Sequence, residues 1–371
     1  MRIGILCHPT HGGSGVVASE CALSLARRGH RVHLFSPGVP PRIARDAGPV
    51  VLHRVRGVDY PLFSSAHDEL AATGAVLDVI EEEGLDVLHA HYALPHAVSA
   101  HLAREAACEL AGDRAPRVVV TLHGTDVTLI GAAPEYAPLL RYVLGQADAV
   151  TAVSHDLAER TRAWWGTRAG TIHVLHNFVD TDCFTPAAER EPGPLRAVHV
   201  SNFRPLKRVP FLVEAFARAS AGSAAELLLV GDGPDLPRCR ELARSLGLEG
   251  RVRFLGERDA LPALLAPRDA FLLTSSEESF GLSALEASAC GLGVLATKVG
   301  GLGEVVLDGS TGRLIELADG DAFIQELTRW VRDPALARQY GRAGRTHACK
   351  HFGREAGTLR YEDLYRRLLE R

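Results

Sequence analysis

Short apolar runs alternate with amphipathic stretches along almost the whole chain. In the first half, runs rich in Val, Ile and Leu predict strands, and the stretches between them carry apolar residues at helical spacing. The predicted strands are residues 3–7, 31–36, 86–90, 118–122, 149–153 and 172–175, and the predicted helices are 16–28, 70–83, 95–109 and 154–165. Uninterrupted apolar strands between helices are typical of a parallel sheet that is covered on both faces.

A second alternating series follows a stretch of linker composition, residues 185–194, which is rich in proline. Its predicted strands are residues 196–200, 227–230, 252–255, 271–274, 294–297 and 312–315, and its predicted helices are 209–219, 235–246, 281–289 and those that run to the end of the chain. Two similar halves predict an α/β protein with two doubly wound domains and a cleft between them. In such sheets ligands bind beyond the carboxyl ends of the strands.

Composition and charge narrow the class of partner. The chain has 371 residues, of which 46% are hydrophobic and 23% charged, and its net charge is −4. It shows neither the basic face of a nucleic-acid protein nor the basic clusters of an enzyme that works at an anionic membrane. Residues 1–6 indicate a buried strand and not a signal peptide, so we expect a cytoplasmic protein. Seven scattered cysteines without a C-x-x-C pair predict neither a disulfide framework nor a zinc site.

One stretch near residue 280 combines two carboxylates with a predicted helix start. Glu278 and Glu286 stand eight positions apart, and the helix is expected to begin near Gly281. The first turn of a helix has unpaired N–H donors and a partial positive charge, so the N–H groups of Phe280, Gly281 and Leu282 predict an anion site. A diphosphate flanked by two sugars would fit it. The alternative is that the glutamates only complement the helix dipole.

A group of cations follows the first strand of the second half. Arg204, Lys207 and Arg208 lie between that strand and the next helix, and Lys207 is one of only three lysines in the chain. Cations at a helix N-terminus oppose the dipole, so this placement predicts a compensating anion, for which a leaving phosphate is the natural candidate. A solvated surface is the alternative.

Polar residues also follow strands of the first half. The glycine-rich loop 11–15 lets a ligand approach a helix start, although turn geometry alone would also explain it. His123, Thr125 and Asp126 follow the predicted strand 118–122. Because three polar groups converge there, a functional site is favoured over a structural turn.

Two apparent metal motifs favour structural roles. Four histidines lie close in sequence, but His96 and His101 are five residues apart and miss the helix-face spacing of a zinc pair. His89 and His91 would share one face of a strand, so buried, hydrogen-bonded imidazoles are predicted. Residues 180–182 match a D-x-D motif, but their place before the linker favours an Asx turn.

Together, Glu278, Glu286, Lys207, His123 and the glycine-rich loop resemble the retaining glycosyltransferases of family 4. The resemblance covers nearly the whole chain. It implies the GT-B fold, an α/β architecture in which two Rossmann-like domains with doubly wound parallel sheets face each other across a cleft. The implied domains are an acceptor-binding domain at 1–185, a UDP-sugar-binding domain at 195–352, and a final helix at 353–371 that crosses back to the first domain.

The resemblance also implies the roles of individual residues. Glu286 would accept the ribose hydroxyls and Glu278 those of the transferred sugar, while Lys207 would neutralise the diphosphate. The implied donor-binding set is Gly13, Asn202, Arg204, Lys207, Glu278, Phe280, Gly281, Leu282 and Glu286, and the implied catalytic set is His123, Lys207 and Glu278. Family members usually have arginine in place of Asn202, which leaves open whether Arg204 or Arg208 meets the phosphates.

Residues 89–97, 121–126 and 201–204 resemble one branch of the family more closely. That branch transfers N-acetylglucosamine from UDP-N-acetylglucosamine to the hydroxyl of L-malate, the first step of bacillithiol biosynthesis. The resemblance assigns the acceptor to Ser14, Tyr92, Thr125 and Arg141. An arginine with hydroxyl donors suits a dicarboxylate.

The same resemblance bears on cofactors and partners. It implies no metal and no other cofactor, because Lys207, an arginine and a helix dipole would balance the departing UDP. UDP-N-acetylglucosamine and L-malate are the expected partners, without nucleic acid or membrane, and a homodimer is compatible with the sequence. The alternatives are a family 4 enzyme with another soluble acceptor, such as a sugar or inositol phosphate, and a non-transferase UDP-sugar epimerase or sensor.

Overall fold

The chain divides into two compact units. One unit comprises Met1–Asn177 and Glu355–Arg371, and the other comprises Phe178–Arg354. The boundaries expected from the sequence were residues 185 to 195 and residues 352 to 353. The computed structural model describes residues 1–10, 12–46, 48–58, 68–111, 115–166, 170–188 and 192–370.

The first unit is built on a seven-stranded sheet with the order β3-β2-β1-β4-β5-β6-β7. Every neighbouring pair is parallel. The strands are β1 (Arg2–Leu6), β2 (Arg31–Ser36), β3 (Val51–Arg54), β4 (Val87–His91), β5 (Arg117–Leu122), β6 (Ala149–Ala152) and β7 (Ile172–Val174). The strand order reverses between β1 and β4, which makes their carboxyl ends a point where such sheets bind ligands.

Helices connect these strands, as parallel pairing requires. They are α1 (Ser14–Arg27), α2 (Pro41–Arg45), α3 (Asp68–Glu82), α4 (Val98–Ala111), α5 (Ala137–Gln146) and α6 (His155–Trp165). Helix α6 begins where expected, because the Ser154 hydroxyl accepts the Leu157 N–H at 3.1 Å and caps the first turn.

The second unit has a six-stranded parallel sheet with the order β10-β9-β8-β11-β12-β13. The strands are β8 (Arg196–Val200), β9 (Glu226–Val230), β10 (Val252–Gly256), β11 (Ala270–Leu273), β12 (Gly293–Thr297) and β13 (Gly312–Ile315). Its helices are α7 (Val209–Ala219), α8 (Leu236–Ser245), α9 (Leu261–Leu265), α10 (Leu282–Ala289), α11 (Leu302–Val305), α12 (Gly320–Arg332) and α13 (Pro334–Phe352). The order reverses between β8 and β11, whose carboxyl ends lead to Lys207 and Glu278.

The last helix, α14 (Arg354–Leu369), packs into the first unit from Glu355 onward. Tyr361 and Tyr365 are fully buried there. The Tyr365 hydroxyl is hydrogen-bonded to His89 Nδ1 at 2.6 Å, and Arg28 Nε donates to the Glu362 carboxylate at 2.7 Å. The first unit is therefore completed by residues from both ends of the chain.

The predicted α/β class with two doubly wound parallel sheets is confirmed, and most predicted elements are present within a few residues. Besides the short helices α2, α9 and α11, two elements were missed. They are β3, whose residues are half-buried or exposed, and α5, which exposes the apolar residues Leu139 and Tyr142. The helix predicted from residue 95 begins at Val98, because Ala93–Ala97 forms a wide turn. No described helix is both long and apolar enough to cross a membrane.

Candidate active site

The loop after β8 is held by a buried histidine. His199 Nδ1 donates to the Leu272 carbonyl at 2.8 Å, and its Nε2 accepts the Ser201 hydroxyl at 2.7 Å. The Ser201 oxygen in turn accepts the Phe203 N–H at 3.2 Å. Burial lowers the pKa of His199 to about 4, so the ring is neutral at pH 7 and its Nε2 can accept a hydrogen bond from the Ser201 hydroxyl. These bonds fix the backbone that leads into the predicted cation cluster.

Two glycines after β9, Gly231 and Gly233, leave room for the backbone of the loop after β8. A Cβ on Gly231 would lie 1.8 Å from the Ser201 carbonyl oxygen, and a Cβ on Gly233 would lie 1.9 Å from the Asn202 carbonyl oxygen. Both residues also have positive φ, at 120° and 152°. The tight turn after β9 therefore serves the packing of the neighbouring loop.

The cations themselves are anchored to the end of β11. The Thr274 hydroxyl donates to the carbonyls of Lys207 and Arg208 at 3.0 and 3.2 Å, and the Ser276 N–H donates to the Leu206 carbonyl at 2.7 Å. Thr274 is fully buried. The backbone of the cation loop is thus fastened to the strand that precedes Glu278.

Lys207 and Glu278 meet directly. Lys207 Nζ lies 2.5 Å from Glu278 Oε1, and the Ser275 hydroxyl donates to the same oxygen at 2.7 Å. The two charged side chains are only 18% and 11% exposed, so water screens their attraction incompletely. The sequence predicted an anion that would compensate the charge of Lys207, and in this structure that anion is the Glu278 carboxylate. Two of the three predicted catalytic residues therefore form one ion pair.

The two arginines beside Lys207 differ in their surroundings. The Arg208 guanidinium lies over the Phe211 ring, 4.9 Å from its centroid, and Arg208 adopts a left-handed conformation at the start of α7. Arg204 is half-buried and, within the described residues, forms no ion pair. Asn202, also predicted to bind the donor, is exposed two residues earlier.

Helix α10 begins within one residue of the predicted start. Gly281 is its N-cap, with φ at 91°, and the first turn starts at Leu282. Phe280 is buried, and its ring lies 5.8 Å from that of Phe352. Glu286 is only 6% exposed. This geometry is compatible with the predicted anion site, and the ligand roles of these residues remain predictions.

In the first unit, His89 and His91 on β4 are buried and hydrogen-bonded, as predicted, and His123, which follows β5, is half-buried. His89 Nε2 lies 2.7 Å from Thr121 Oγ1, and His91 Nδ1 lies 3.1 Å from His123 Nε2. Burial lowers the pKa of His123 to about 3. His123 is therefore neutral at pH 7, so it can exchange hydrogen bonds with a ligand but cannot supply a positive charge.

Asp126 holds the loops after β4 and β5 together. Its carboxylate accepts the N–H groups of Ala93 at 3.1 Å, His123 at 3.2 Å and Gly124 at 2.7 Å. Asp126 is fully buried, and burial raises the pKa of its carboxyl against the opposing effect of these hydrogen bonds. The sequence marked Asp126 as a polar partner of His123, but not as the group that positions its backbone.

Replacing Asp126 with asparagine is expected to destabilise the first unit by about 1–3 kcal/mol, because an amide offers one acceptor oxygen where the carboxylate offers two. Urea unfolding of the purified variant would measure the loss. Asp363→Asn is the matched control: its side chain is 64% exposed in a pair with Arg367, so a change within about 0.5 kcal/mol is expected. Equal stability of the two variants would contradict the role given to Asp126.

The four residues predicted to bind the acceptor substrate lie in three separate places in the first unit. The Tyr92 and Thr125 hydroxyls lie 2.6 Å apart. Ser14 begins α1 after Gly13, whose φ is 60°. Arg141 lies on α5 with its guanidinium 4.9 Å from the centroid of Trp164. The structure thus brings two of the four together by a direct contact. His11, in the predicted glycine-rich loop, falls outside the described residues.

The D-x-D match is an Asx turn, as predicted. Asp180 Oδ1 accepts the N–H groups of Asp182 and Cys183 at 3.1 and 3.2 Å, and Arg354 pairs with the other oxygen of Asp180. All seven cysteines are free, and Cys108 is exposed.

Two units, each built on a doubly wound parallel sheet, are the architecture of the GT-B class of nucleotide-sugar-dependent transferases. The model for Glycosyltransferase Family 4 matches residues 11–183, and that for glycosyl transferases group 1 matches residues 185–347. The chain belongs to glycosyltransferase family 4.

Individual relatives agree with this. N-acetyl-alpha-D-glucosaminyl L-malate synthase of Bacillus anthracis is 38% identical over 98% of this chain and 96% of its own. D-inositol 3-phosphate glycosyltransferase of Mycobacterium avium (strain 104) is 31% identical over 91% of this chain and 85% of its own.

Solved structures share the fold. Sucrose-phosphate synthase from Thermosynechococcus elongatus has a TM-score of 0.81 at 24% identity, over 100% of this chain and 99% of its own. Anabaena Alr3699/HepE, in complex with UDP and glucose, has a TM-score of 0.79 at 22% identity, over 98% of this chain and 99% of its own.

Proposed function

We propose that this enzyme transfers N-acetylglucosamine from UDP-N-acetylglucosamine to the hydroxyl of L-malate with retention of the α configuration. The observation that carries the proposal is the 38% identity, over 98% of the chain, to a relative named for that product. Transfer to malate would be the first step of bacillithiol biosynthesis. Alr3699/HepE, which shares the fold, is described in complex with UDP and with UDP-glucose, in keeping with a UDP-sugar donor.

The donor would bind the second unit. A lysine ammonium has three N–H donors, so Lys207 can keep its bond to Glu278 and still donate to the diphosphate. Glu278 then accepts hydroxyls of the transferred sugar, and Glu286 accepts those of the ribose. Because Arg208 is stacked on Phe211, Arg204 is the arginine proposed to meet the phosphates.

The reaction would exchange one bond at the anomeric carbon. The malate hydroxyl oxygen bonds to that carbon as its bond to the diphosphate oxygen breaks, both on the same face. The hydroxyl proton passes to the departing diphosphate, and UDP leaves. Lys207, Arg204 and the first turn of α10 balance the charge that develops on UDP, so positioning and electrostatics account for the rate.

The acceptor would bind the first unit. The hydroxyl pair of Tyr92 and Thr125, with Ser14 at the start of α1, supplies hydrogen bonds to malate. Arg141 provides the fork of N–H donors that suits a carboxylate. His123, neutral and next to this pair in sequence, would contact the sugar near the reacting carbon.

A second candidate is a family 4 transferase with an inositol phosphate acceptor. The relative named D-inositol 3-phosphate glycosyltransferase favours it, at 31% identity over 91% of the chain. A phosphate acceptor and malate are both anionic, so charge alone does not distinguish the two candidate functions. An assay with each acceptor distinguishes them directly.

Incubation of the purified enzyme with UDP-N-acetylglucosamine and L-malate is expected to release UDP and give one product with the combined mass of the sugar residue and malate. Parallel reactions contain D-inositol 3-phosphate, D-malate, or no acceptor, and one malate reaction contains EDTA. Release only with L-malate, unchanged by EDTA, is expected. Release with the inositol phosphate alone would refute malate as acceptor, and consumption of donor without any acceptor would indicate an epimerase or hydrolase.

A further inference from the structure

We propose that His91 is a positioning residue that fixes the tautomer of His123, so that His123 offers its Nδ1–H as a hydrogen-bond donor to the bound sugar. The tautomer follows from the structure of the first unit alone. Only the identity of the receiving oxygen, on the transferred sugar, rests on the proposed function.

The two rings meet because their strands are neighbours. His91 is the last residue of β4 and pairs with Thr121 of β5, and His123 follows β5 directly. His91 Nδ1 and His123 Nε2 are 3.1 Å apart. A neutral imidazole carries one N–H and one acceptor nitrogen, so one ring donates in this bond and the other accepts.

The direction of the bond is set by the far nitrogen of His91. His91 is fully buried, and its Nε2 has no hydrogen-bond partner within the described residues. If His123 donated, the proton of His91 would sit on Nε2, as a buried N–H without an acceptor. Buried N–H groups without partners are rarer and costlier than unused lone pairs. His91 therefore donates from Nδ1, and His123 accepts at Nε2.

This assignment leaves His123 with its own proton on Nδ1. Burial lowers the pKa of His123 to about 3 and that of His91 well below its ordinary value, which keeps both rings neutral around pH 7. Without the proton of His91, His123 could adopt the other tautomer, in which its Nδ1 can accept a hydrogen bond from a hydroxyl but cannot donate one. The hydrogen bond to one ring nitrogen thus decides what the other nitrogen can do.

His89 holds the ring of His91 in place. Its Nδ1 is hydrogen-bonded to the Tyr365 hydroxyl at 2.6 Å and its Nε2 to the Thr121 hydroxyl at 2.7 Å. With both nitrogens engaged, the His89 ring is fixed, and its centroid lies 4.1 Å from that of His91. The orientation of His91 is therefore supported by packing as well as by its bond to His123.

The tautomer can be read directly by ¹⁵N NMR of histidine-labelled protein, in which protonated and unprotonated ring nitrogens have distinct shifts. A His123→Gln variant identifies the signals of His123. We expect wild-type His123 to be protonated on Nδ1. His91→Asn should keep this form, because the asparagine amide nitrogen can donate from about the place of Nδ1, and His91→Leu should change it.

His96 provides the matched control. It is 6% exposed, and its Nε2 also lacks a partner within the described residues, but the bond to His123 is made by His91 and not by His96. His96→Leu is expected to leave the His123 signals as in wild type. The proposal would be overturned if wild-type His123 were protonated on Nε2, or if the His123 signals were unchanged in His91→Leu. The wild-type spectrum decides by itself, so the test stands even if the leucine variant is unstable.

Kinetics test the consequence for the reaction. His91→Leu is expected to lower kcat by about tenfold or more and to leave KM for UDP-N-acetylglucosamine within about threefold, with most of kcat recovered in His91→Asn. Equal losses in His91→Leu and His96→Leu would indicate a general packing role and overturn the proposal. If wild type transfers nothing to malate, the proposed function fails, and the spectra still decide the tautomer.

Discussion

Replacing Lys207 with methionine is expected to lower kcat/KM for the donor about 10³-fold. Removal of one preorganised donor from a transition-state charge typically costs a factor of 10²–10³, and here a full positive charge is lost as well. The pair with Glu278 has side chains only 18% and 11% exposed, so this charge is weakly screened. Initial rates of UDP release at varied donor concentration would measure the effect.

A double variant separates the catalytic loss from the structural one. Lys207→Met alone leaves the Glu278 carboxylate without its cation and should destabilise the second unit by about 1–3 kcal/mol. Lys207→Met combined with Glu278→Gln should recover most of that stability in urea unfolding, but no activity. If the double variant also regained turnover, the lysine would be a structural partner of Glu278 and nothing more.

Lys298→Met is the control for both measurements. Lys298 pairs with Glu316 at 2.8 Å, but the two side chains are 61% and 68% exposed. Surface pairs of this kind contribute about 0–1 kcal/mol, so stability and turnover should stay close to those of wild type. The comparison holds the residue types constant and changes only their place in the fold.

Acidification from pH 7 to about pH 4.5 is expected to unfold the first unit. Burial lowers the pKa of His89 and of His96 to about 3 and that of His91 well below its ordinary value. Below about pH 6.5 the unfolded chain binds these protons and the folded unit does not, so stability is full above pH 6.5 and falls as the pH falls toward 3. A group of this kind loses about 1.4 kcal/mol of its contribution per pH unit. Several buried imidazoles together therefore remove a large part of the stability of a domain.

One group in the same unit acts in the opposite direction. The pKa of Asp126 is raised by burial, so the folded unit takes up that proton more readily than the unfolded chain and recovers part of the loss. Tryptophan fluorescence and urea unfolding between pH 7.5 and 4.5 would follow the transition. His89→Gln should reduce the pH dependence by about one proton. A flat stability profile would show that the buried rings titrate freely.

The alternation of apolar runs was sufficient to predict the fold, because buried parallel strands leave a continuous signal. It failed where burial is partial, at β3, and where an amphipathic helix exposes apolar residues, as Leu139 and Tyr142 do on α5. Both failures have one cause. The pattern reports how a segment meets the core, and these segments meet it weakly or irregularly.

The candidate site was predictable only as separate residues. Lys207 and Glu278 were each noted because they follow strands, but they are 71 positions apart, and their contact depends on how Thr274 and Ser275 fasten the two loops. His199, which holds the loop after β8, left no signal that separates it from ordinary buried polar residues. Asp126 was noted as a partner of His123, but not for the backbone that it holds. Their roles arise from distances between strand ends, which a linear pattern does not contain.

Gly231 and Gly233 have a consequence for mutational scanning. Any side chain at either position would overlap a carbonyl oxygen of Ser201 or Asn202, at 1.8 and 1.9 Å from the new Cβ. A functional screen would therefore score both glycines as intolerant of every replacement, the profile usually taken to mark substrate contacts. Their intolerance would report the path of the adjacent loop, so a map of essential positions in this enzyme would be wider than the surface that its substrates touch.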